Sequence, residues 1–270
     1  MKAQSIAIGA FSAMFWRTVF GVGLSGALFA ATGPRLPDRR TMLLHIARGT
    51  AAAVSVLLFF WGLTRVPMAQ GVALTFIAPL IAIFLGAAVL GERVGRSAIV
   101  ASLIAFAGVL TILAGQARAE MGPDALRGAI AIIVAALLYS VQLILLRKQA
   151  QGSHPIEVAF WTNCVFLGVY ALGAPWMLVL PASSNLPWLG LAAMLATASI
   201  LALAWAYARA PASYLAPVEY TAFLWAALLG WLVFGEHVQP LTVAGAVLIV
   251  TGCAIAARTR PPPAPSVEAA

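Results

Sequence analysis

Residues 61–67 read WGLTRVP, and residues 205–211 read WAYARAP. Both carry W-x-x-x-R-x-P, with Trp205 placed 144 residues after Trp61. Holding that offset pairs Ala78 with Ala222, Leu80 with Leu224, Gly86 with Gly230 and Val89 with Val233. It goes on to pair Gly91-Glu92 with Gly235-Glu236, Val94 with Val238 and Gly108 with Gly252. Backwards, with one residue of slip, FWRTVFGVG at 15–23 resembles FWTNCVFLG at 160–168. Chance similarity between apolar stretches rarely keeps Trp, Arg, Pro and Gly-Glu in one register. The pattern is an internal duplication.

Composition sets the medium in which the duplicated unit folds. Charged residues are 9% of the chain and hydrophobic ones 63%, with a mean hydropathy of +0.98. A soluble domain carries roughly 25% charge. This chain cannot cover a water-facing surface, and it reads as a polytopic membrane protein. Apolar runs fall at 8–31, 43–63, 68–90, 97–115, 127–146, 156–180, 187–208, 212–234 and 240–257, nine in all. Each holds about 20 apolar residues, enough for a helix to cross a hydrocarbon layer of about 30 Å. The runs are continuous and lack the period-2 alternation of barrel strands, so the expected fold class is all-α. The run at 8–31 is too long for a signal-peptide core and is interrupted by Arg17, which keeps it as a membrane helix. Cys164 and Cys253 sit in apolar runs without metal-ligand spacing and read as packing residues.

The net charge of +8 is distributed as topology requires, not as a nucleic-acid surface would have it. With the 31–42 loop in the cytoplasm, eleven basic residues fall inside: Arg35, Arg39, Arg40, Arg48, Arg93, Arg96, Arg147, Lys148, Arg209, Arg258 and Arg260. Four fall outside: Lys2, Arg65, Arg118 and Arg127. The expectation is an N-terminus outside and a C-terminus in the cytoplasm. The halves are then 1–115 with four membrane helices and 127–257 with five, followed by a disordered cytoplasmic tail at 258–270. The counterpart of the 127–146 helix would lie before Met1. An odd number of spans separates equivalent helices, so the repeat is inverted, an architecture common in secondary transporters. The turn GERVGR at 91–96 is basic and inside, while its equivalent GEHVQP at 235–240 is outside and has lost both arginines.

Three stretches carry a family resemblance: PLIAIFLGAAVLGERV at 79–94, EYTAFLWAALLGWLVFGEHV at 219–238 and FWRT at 15–18. Two repeats, each ending in a helix, a Gly-Glu turn and a glycine-containing last helix, resemble the EamA-type transporters of the drug/metabolite transporter superfamily. The resemblance implies ten helices in two inverted five-helix repeats, the first of them lacking here. It implies an inner-membrane carrier of small metabolites, such as amino-acid derivatives, S-adenosylmethionine-like compounds or vitamins such as riboflavin. The partners expected are a small-molecule substrate and the lipid bilayer, with no nucleic acid, and the reading leaves room for a homodimer.

Intramembrane polar residues are the candidates for binding, because a charge at a helix centre costs roughly 2.5–3.5 kcal/mol on insertion scales. Arg17 offers a planar cationic fork that suits a carboxylate or phosphate; snorkelling to headgroups is the alternative. Glu219, in P-V-E-Y, suits a cationic substrate or a coupling proton; a neutral packing carboxyl is the alternative. Their depths differ by roughly 10 Å, which disfavours a direct bridge. The other candidates are Gln70, Thr75, Tyr139, Gln142, Asn163, Tyr214 and Tyr220, with Trp16 and Trp161 as repeat equivalents. Pro79 and Pro217 break equivalent helices and read as either gating kinks or packed kinks. Glu92 and Glu236 read as caps for their turns, and Arg65 and Arg209 as helix-end anchors to headgroups.

GVGLSG at 21–26 fits a dinucleotide fingerprint but lies inside a membrane run without a preceding strand, so its small residues read as close helix packing. His45, His154 and His237 read as turn residues. No enzyme activity, cofactor or metal is expected, since neither a nucleophile with its base nor a metal motif is present. The alternative to a transporter is a non-transporting membrane assembly partner or degenerate paralogue, which a missing helix would favour.

Overall fold

The computed structural model describes residues 1–32, 36–78, 81, 84–85, 96–118, 123–150, 152–209 and 221–258. Among the described residues all regular structure is helical, with no strand. The helices are α1 (Lys2–Ile8), α2 (Ala10–Ala31), α3 (Arg39–Leu63), α4 (Met68–Thr75) and α5 (Arg96–Arg118). They continue as α6 (Pro123–Ala150), α7 (Pro155–Met177), α8 (Leu186–Arg209), α9 (Thr221–Phe234) and α10 (Pro240–Arg258). Among the described residues, five stretches are long and apolar enough to cross a membrane: Ala10–Ala31, Arg39–Leu63, Asp124–Leu146, Pro155–Met177 and Ser183–Ala206. Trp225–Phe234 and Pro240–Gly252 are shorter apolar stretches.

Local chemistry sets the helix ends. Gly9 takes φ +81°, a backbone that only glycine adopts without strain, and it splits α1 from α2. The first apolar run is therefore preceded by a short helix that the hydropathy pattern does not predict. Asp38 caps α3 by accepting from the Arg40 and Thr41 amides. Hydrogen bonding, from the Thr41 side chain first, holds its carboxyl below the usual range. His154 caps α7, with Pro155 and Glu157 in the first turn. α4 gives way to a turn at Phe76 and Ile77. Pro79, three residues further on, has no amide to donate to the Thr75 carbonyl.

WGLTRVP is the junction between α3 and α4. The Arg65 guanidinium lies 3.6 Å from the Trp61 ring centroid. Its Nη1 donates to the Trp61 carbonyl at 2.7 Å and to Thr64 Oγ1 at 3.0 Å. A cation that stacks on the ring one turn back and bonds a carbonyl of the last turn, beside the Thr64 hydroxyl that also donates to it at 2.8 Å, is a helix cap. Arg65 thus caps its own helix end. Val66 then buries its side chain, and Pro67 precedes α4 with φ −56°. The side chain of Arg209, in the second copy, lies outside the described residues.

Several helix pairs among the described residues run antiparallel in direct contact. The start of α2 meets the end of α7, where Ser12 Oγ accepts from the Val179 amide at 3.0 Å. The end of α2 meets the start of α7, where Phe29 and Phe160 stack at 4.7 Å. α5 and α10 touch backbone to backbone: a Cβ on Gly108 would lie 2.6 Å from the Gly245 carbonyl oxygen. The start of α4 meets the end of α9 through Met68, Gly230 and Glu236. α3 packs along α6, and α8 lies against α2 and α7.

One apolar core joins α4, α5, α6 and α10 around Leu74, Ile112, Ile132 and Ile249. A second joins α2, α3 and α7 around Met14, Ala53, Phe166 and Tyr170. Large apolar side chains such as Leu172, Trp176, Leu195 and Trp225 point outward, as lipid-facing positions do.

Candidate functional site

The predicted polar residues fall into two groups. The first belongs to α2 and α7. Trp16 Nε1 donates to the Val179 carbonyl at 3.0 Å, tethering the chain beyond α7. Asn163 Nδ2 donates to the Gly21 carbonyl at 3.3 Å and to Ser25 Oγ at 3.1 Å. A Cβ on Gly21 would lie 2.8 Å from Asn163 Oδ1, so G-x-G-x-x-G here serves close helix contact. Trp161 Nε1 is buried and has no partner. Arg17 is half-buried, and no ion pair or hydrogen bond joins it to a described residue.

The second group belongs to α4 and α6. Gln70 is 1% exposed, and both ends of its amide lack a hydrogen-bond partner among the described residues. A buried amide without partners costs roughly 1–3 kcal/mol, so this position favours a polar visitor. Thr75 Oγ1 turns back to the Val72 carbonyl at 2.7 Å. Tyr139 and Gln142 sit one turn apart on α6, Gln142 buried. Between them Ser140 Oγ donates to the Ala78 carbonyl at 2.9 Å, fixing α6 to the chain beyond α4. Tyr214, Glu219 and Tyr220 lie outside the described residues, as do Pro79, Pro217 and Glu92.

Two clusters were not anticipated. In the first, Lys2, which the sequence places only by its side of the membrane, is 5% exposed. Its ammonium pairs with Glu236, donates to the Val66 carbonyl at 3.0 Å and lies 5.0 Å from the Phe234 ring centroid. The other Glu236 oxygen accepts from the Met68 amide at 2.6 Å. Glu236 was expected to cap its own turn. Its backbone does so, since the Gly235 and Glu236 amides return to Trp231 and Gly230 and Gly235 has φ +65°. Its carboxylate instead caps α4.

In the second cluster, His45 and Arg48 are 0% and 3% exposed, where the expectation was a residue in or near a turn and a cation at the inner end of a span. His45 Nε2 bonds Glu157 at 2.9 Å, and Gln149 Nε2 bonds His45 Nδ1. Arg48 donates to Thr162 Oγ1. Spacing was the available signal: His45, Arg48, Gly49 and Ala52 follow i, i+3, i+4, i+7 and share one face of α3.

A bundle of apolar helices with unmet polar groups held between them has the make-up of a membrane transporter, and comparison with known proteins agrees. The sequence profile of the EamA-like transporter family matches residues 1–114 and residues 126–258. The chain belongs to that family. It is a multi-pass membrane protein and a transporter of the drug/metabolite superfamily. Among its relatives is the Pseudopaline exporter CntI of Pseudomonas aeruginosa (strain UCBPP-PA14), 28% identical over 96% of this chain and 90% of the relative. A Riboflavin transporter of Rhizobium johnstonii is 26% identical, covering 92% of this chain and 81% of the relative. The S-adenosylmethionine uptake transporter of Rickettsia prowazekii is 23% identical over 77% and 69%. A protein of known crystal structure matches with a TM-score of 0.63 at 21% identity, covering 94% of this chain and 91% of that one. That likeness shows the shared fold.

Proposed function

We propose that this protein is a secondary transporter that carries a small metabolite across the bacterial inner membrane by alternating access between two inverted halves. The cargo class is an amino-acid derivative, an S-adenosylmethionine-like compound or a vitamin. The relatives' names support that range, and together they include both an exporter and an uptake system. One observation carries the reading: two helix pairs matched by the duplication, α2 with α7 and α5 with α10, are antiparallel neighbours. Helices related by an in-plane pseudo-two-fold axis meet in this way when they lie near the axis. The separate family matches at 1–114 and 126–258 support the same division. In this reading the N-terminus lies outside and the C-terminus inside.

In this reading the residues that meet the substrate include Gln70, whose amide is unmet among the described residues, with Arg17 and Glu219 as the candidate charges from the sequence. The test is uptake and counterflow in proteoliposomes with a metabolite panel, comparing wild type with Arg17→Ala and Glu219→Gln. Each variant is expected to lower kcat/KM for a transported substrate at least tenfold, equal to about 1.4 kcal/mol. Wild-type rates from both would remove these residues from the path.

A further inference from the structure

The His45–Arg48 cluster holds three buried polar atoms that have no hydrogen-bond partner among the described residues. They are Arg48 Nε, Trp161 Nε1 and Gln149 Oε1. All belong to one connected set of contacts. Arg48 bonds Thr162, the neighbour of Trp161 on α7, and Gln149 bonds His45. The rings of His45 and Trp161 lie 6.2 Å apart. His45 and Arg48 are one turn apart on α3, a separation of about 5–6 Å between their Cβ atoms.

Charge gives the cluster its specificity. Arg48 is 3% exposed, and no carboxylate among the described residues pairs with it. Glu157, on the facing helix, is turned to His45 instead. A buried guanidinium without a counter-ion is costly, and more so in a membrane. Arg48 Nε–H and Trp161 Nε1–H are two unmet donors, the complement of a carboxylate. The unmet acceptor, Gln149 Oε1, points to a proton. With neutral His45, the Gln149 amide N–H donates to Nδ1 while Nε2–H donates to Glu157. If His45 gains a proton at Nδ1 and the Gln149 amide turns over, Nδ1–H donates to Oε1 and both sides of the ring are satisfied.

We infer that the adjoining ends of α3, α6 and α7 form a carboxylate site, centred on Arg48 and Trp161, that takes up one proton on His45 as it fills. With Arg48 and Glu157 ionised and His45 uncharged, the charges of the cluster sum to zero. An incoming carboxylate adds one negative charge, and the proton restores neutrality. By linkage each ligand strengthens the other's binding equally. The remaining charged groups on these helices lie toward water or beyond description. Arg39 and Arg40 on α3, Lys148 on α6 and His154 before α7 are exposed, and the Arg147 side chain lies outside the described residues. Glu157 is 20% exposed, which gives the proton a route to the surface. The inference rests on the transporter reading above and names one feature of its cargo.

The test is isothermal titration of the purified full-length protein with acetate, phenylacetate and N-acetylphenylalanine, each against its amide. Buffers of different ionisation enthalpy count the protons taken up. At least one acid is expected to bind tenfold or more tighter than its amide, with about one proton per molecule. Its affinity should fall as pH rises from 6 to 8. Arg48→Gln should abolish the acid–amide difference. Trp161→Phe, which keeps the ring and the packing, should weaken the acid at least threefold. His45→Gln should abolish proton uptake. No preference for any acid over its amide, or preference unchanged in Arg48→Gln and Trp161→Phe, would overturn the site. Preference without proton uptake would overturn the coupling. Because this is a binding measurement, transport of uncharged cargo in proteoliposomes can succeed while the carboxylate site fails.

Discussion

Glu236→Ala is expected to destabilise the protein by about 3 kcal/mol, the low end for removing one partner of a buried ion pair. The carboxylate holds two things at once, the Lys2 ammonium and the Met68 amide that opens α4. Alanine leaves the ammonium, on a side chain 5% exposed, with only the Val66 carbonyl and the Phe234 ring. It also returns an orphaned amide to the first turn of α4. The measurement is SDS-induced unfolding of the purified protein, run as a double-mutant cycle with Lys2→Met. The double variant no longer strands a charge, so its loss should fall well short of the two single losses added together. Strict additivity would mean that the two side chains do not support each other.

Gly108→Val is expected to cost 3 kcal/mol or more, at or beyond the upper end of about 1–3 kcal/mol typical of overpacking. The new Cβ would lie 2.6 Å from the Gly245 carbonyl oxygen, 2.7 Å from Ile249 Cγ1 and 3.0 Å from the Ile249 amide nitrogen. Two of those three are backbone atoms, which cannot move aside as a side chain can. α5 and α10 must separate, and the core around Ile112 and Ile249 opens with them. Gly23→Ala is the control: nothing lies within 4 Å of its added Cβ. There alanine should be neutral or stabilising by roughly 0.5–1 kcal/mol, the helix-propensity gain. Thermal unfolding in detergent separates the two, and equal midpoints would contradict the packing account.

Local features of this fold were legible because they depend on neighbours in sequence. WGLTRVP marks a helix junction because Trp61, Thr64 and Arg65 bond within one turn and Pro67 opens the next helix. The run at 187–208 lies within one residue of α8 at each end. The run at 127–146 falls short of α6 at both ends, because Pro123, Asp124, Arg147 and Lys148 are helical without being apolar. The site was harder to read. Arg48 reaches Thr162 across 114 positions, His45 reaches Glu157 across 112, and Lys2 reaches Glu236 across 234. Hydropathy cannot tell a cation at a helix end from one buried against a facing helix. Asn163 shows the converse: a polar residue inside a span was read as a binding group, and it holds α2 to α7.

The Lys2–Glu236 contact also gives a direct test of alternating access. It ties α1, the α3–α4 junction and the end of α9, elements from both halves, at one end of the bundle. Rocking of one half against the other must part them in one of the two states. Lys2→Cys/Glu236→Cys, made with Cys164→Ser and Cys253→Ser, is reconstituted and treated with a short bismaleimide or with a monomaleimide. The account predicts that the cross-linked protein stops transporting while the singly alkylated protein of the same variant continues. Equal transport by cross-linked and singly alkylated protein would contradict it.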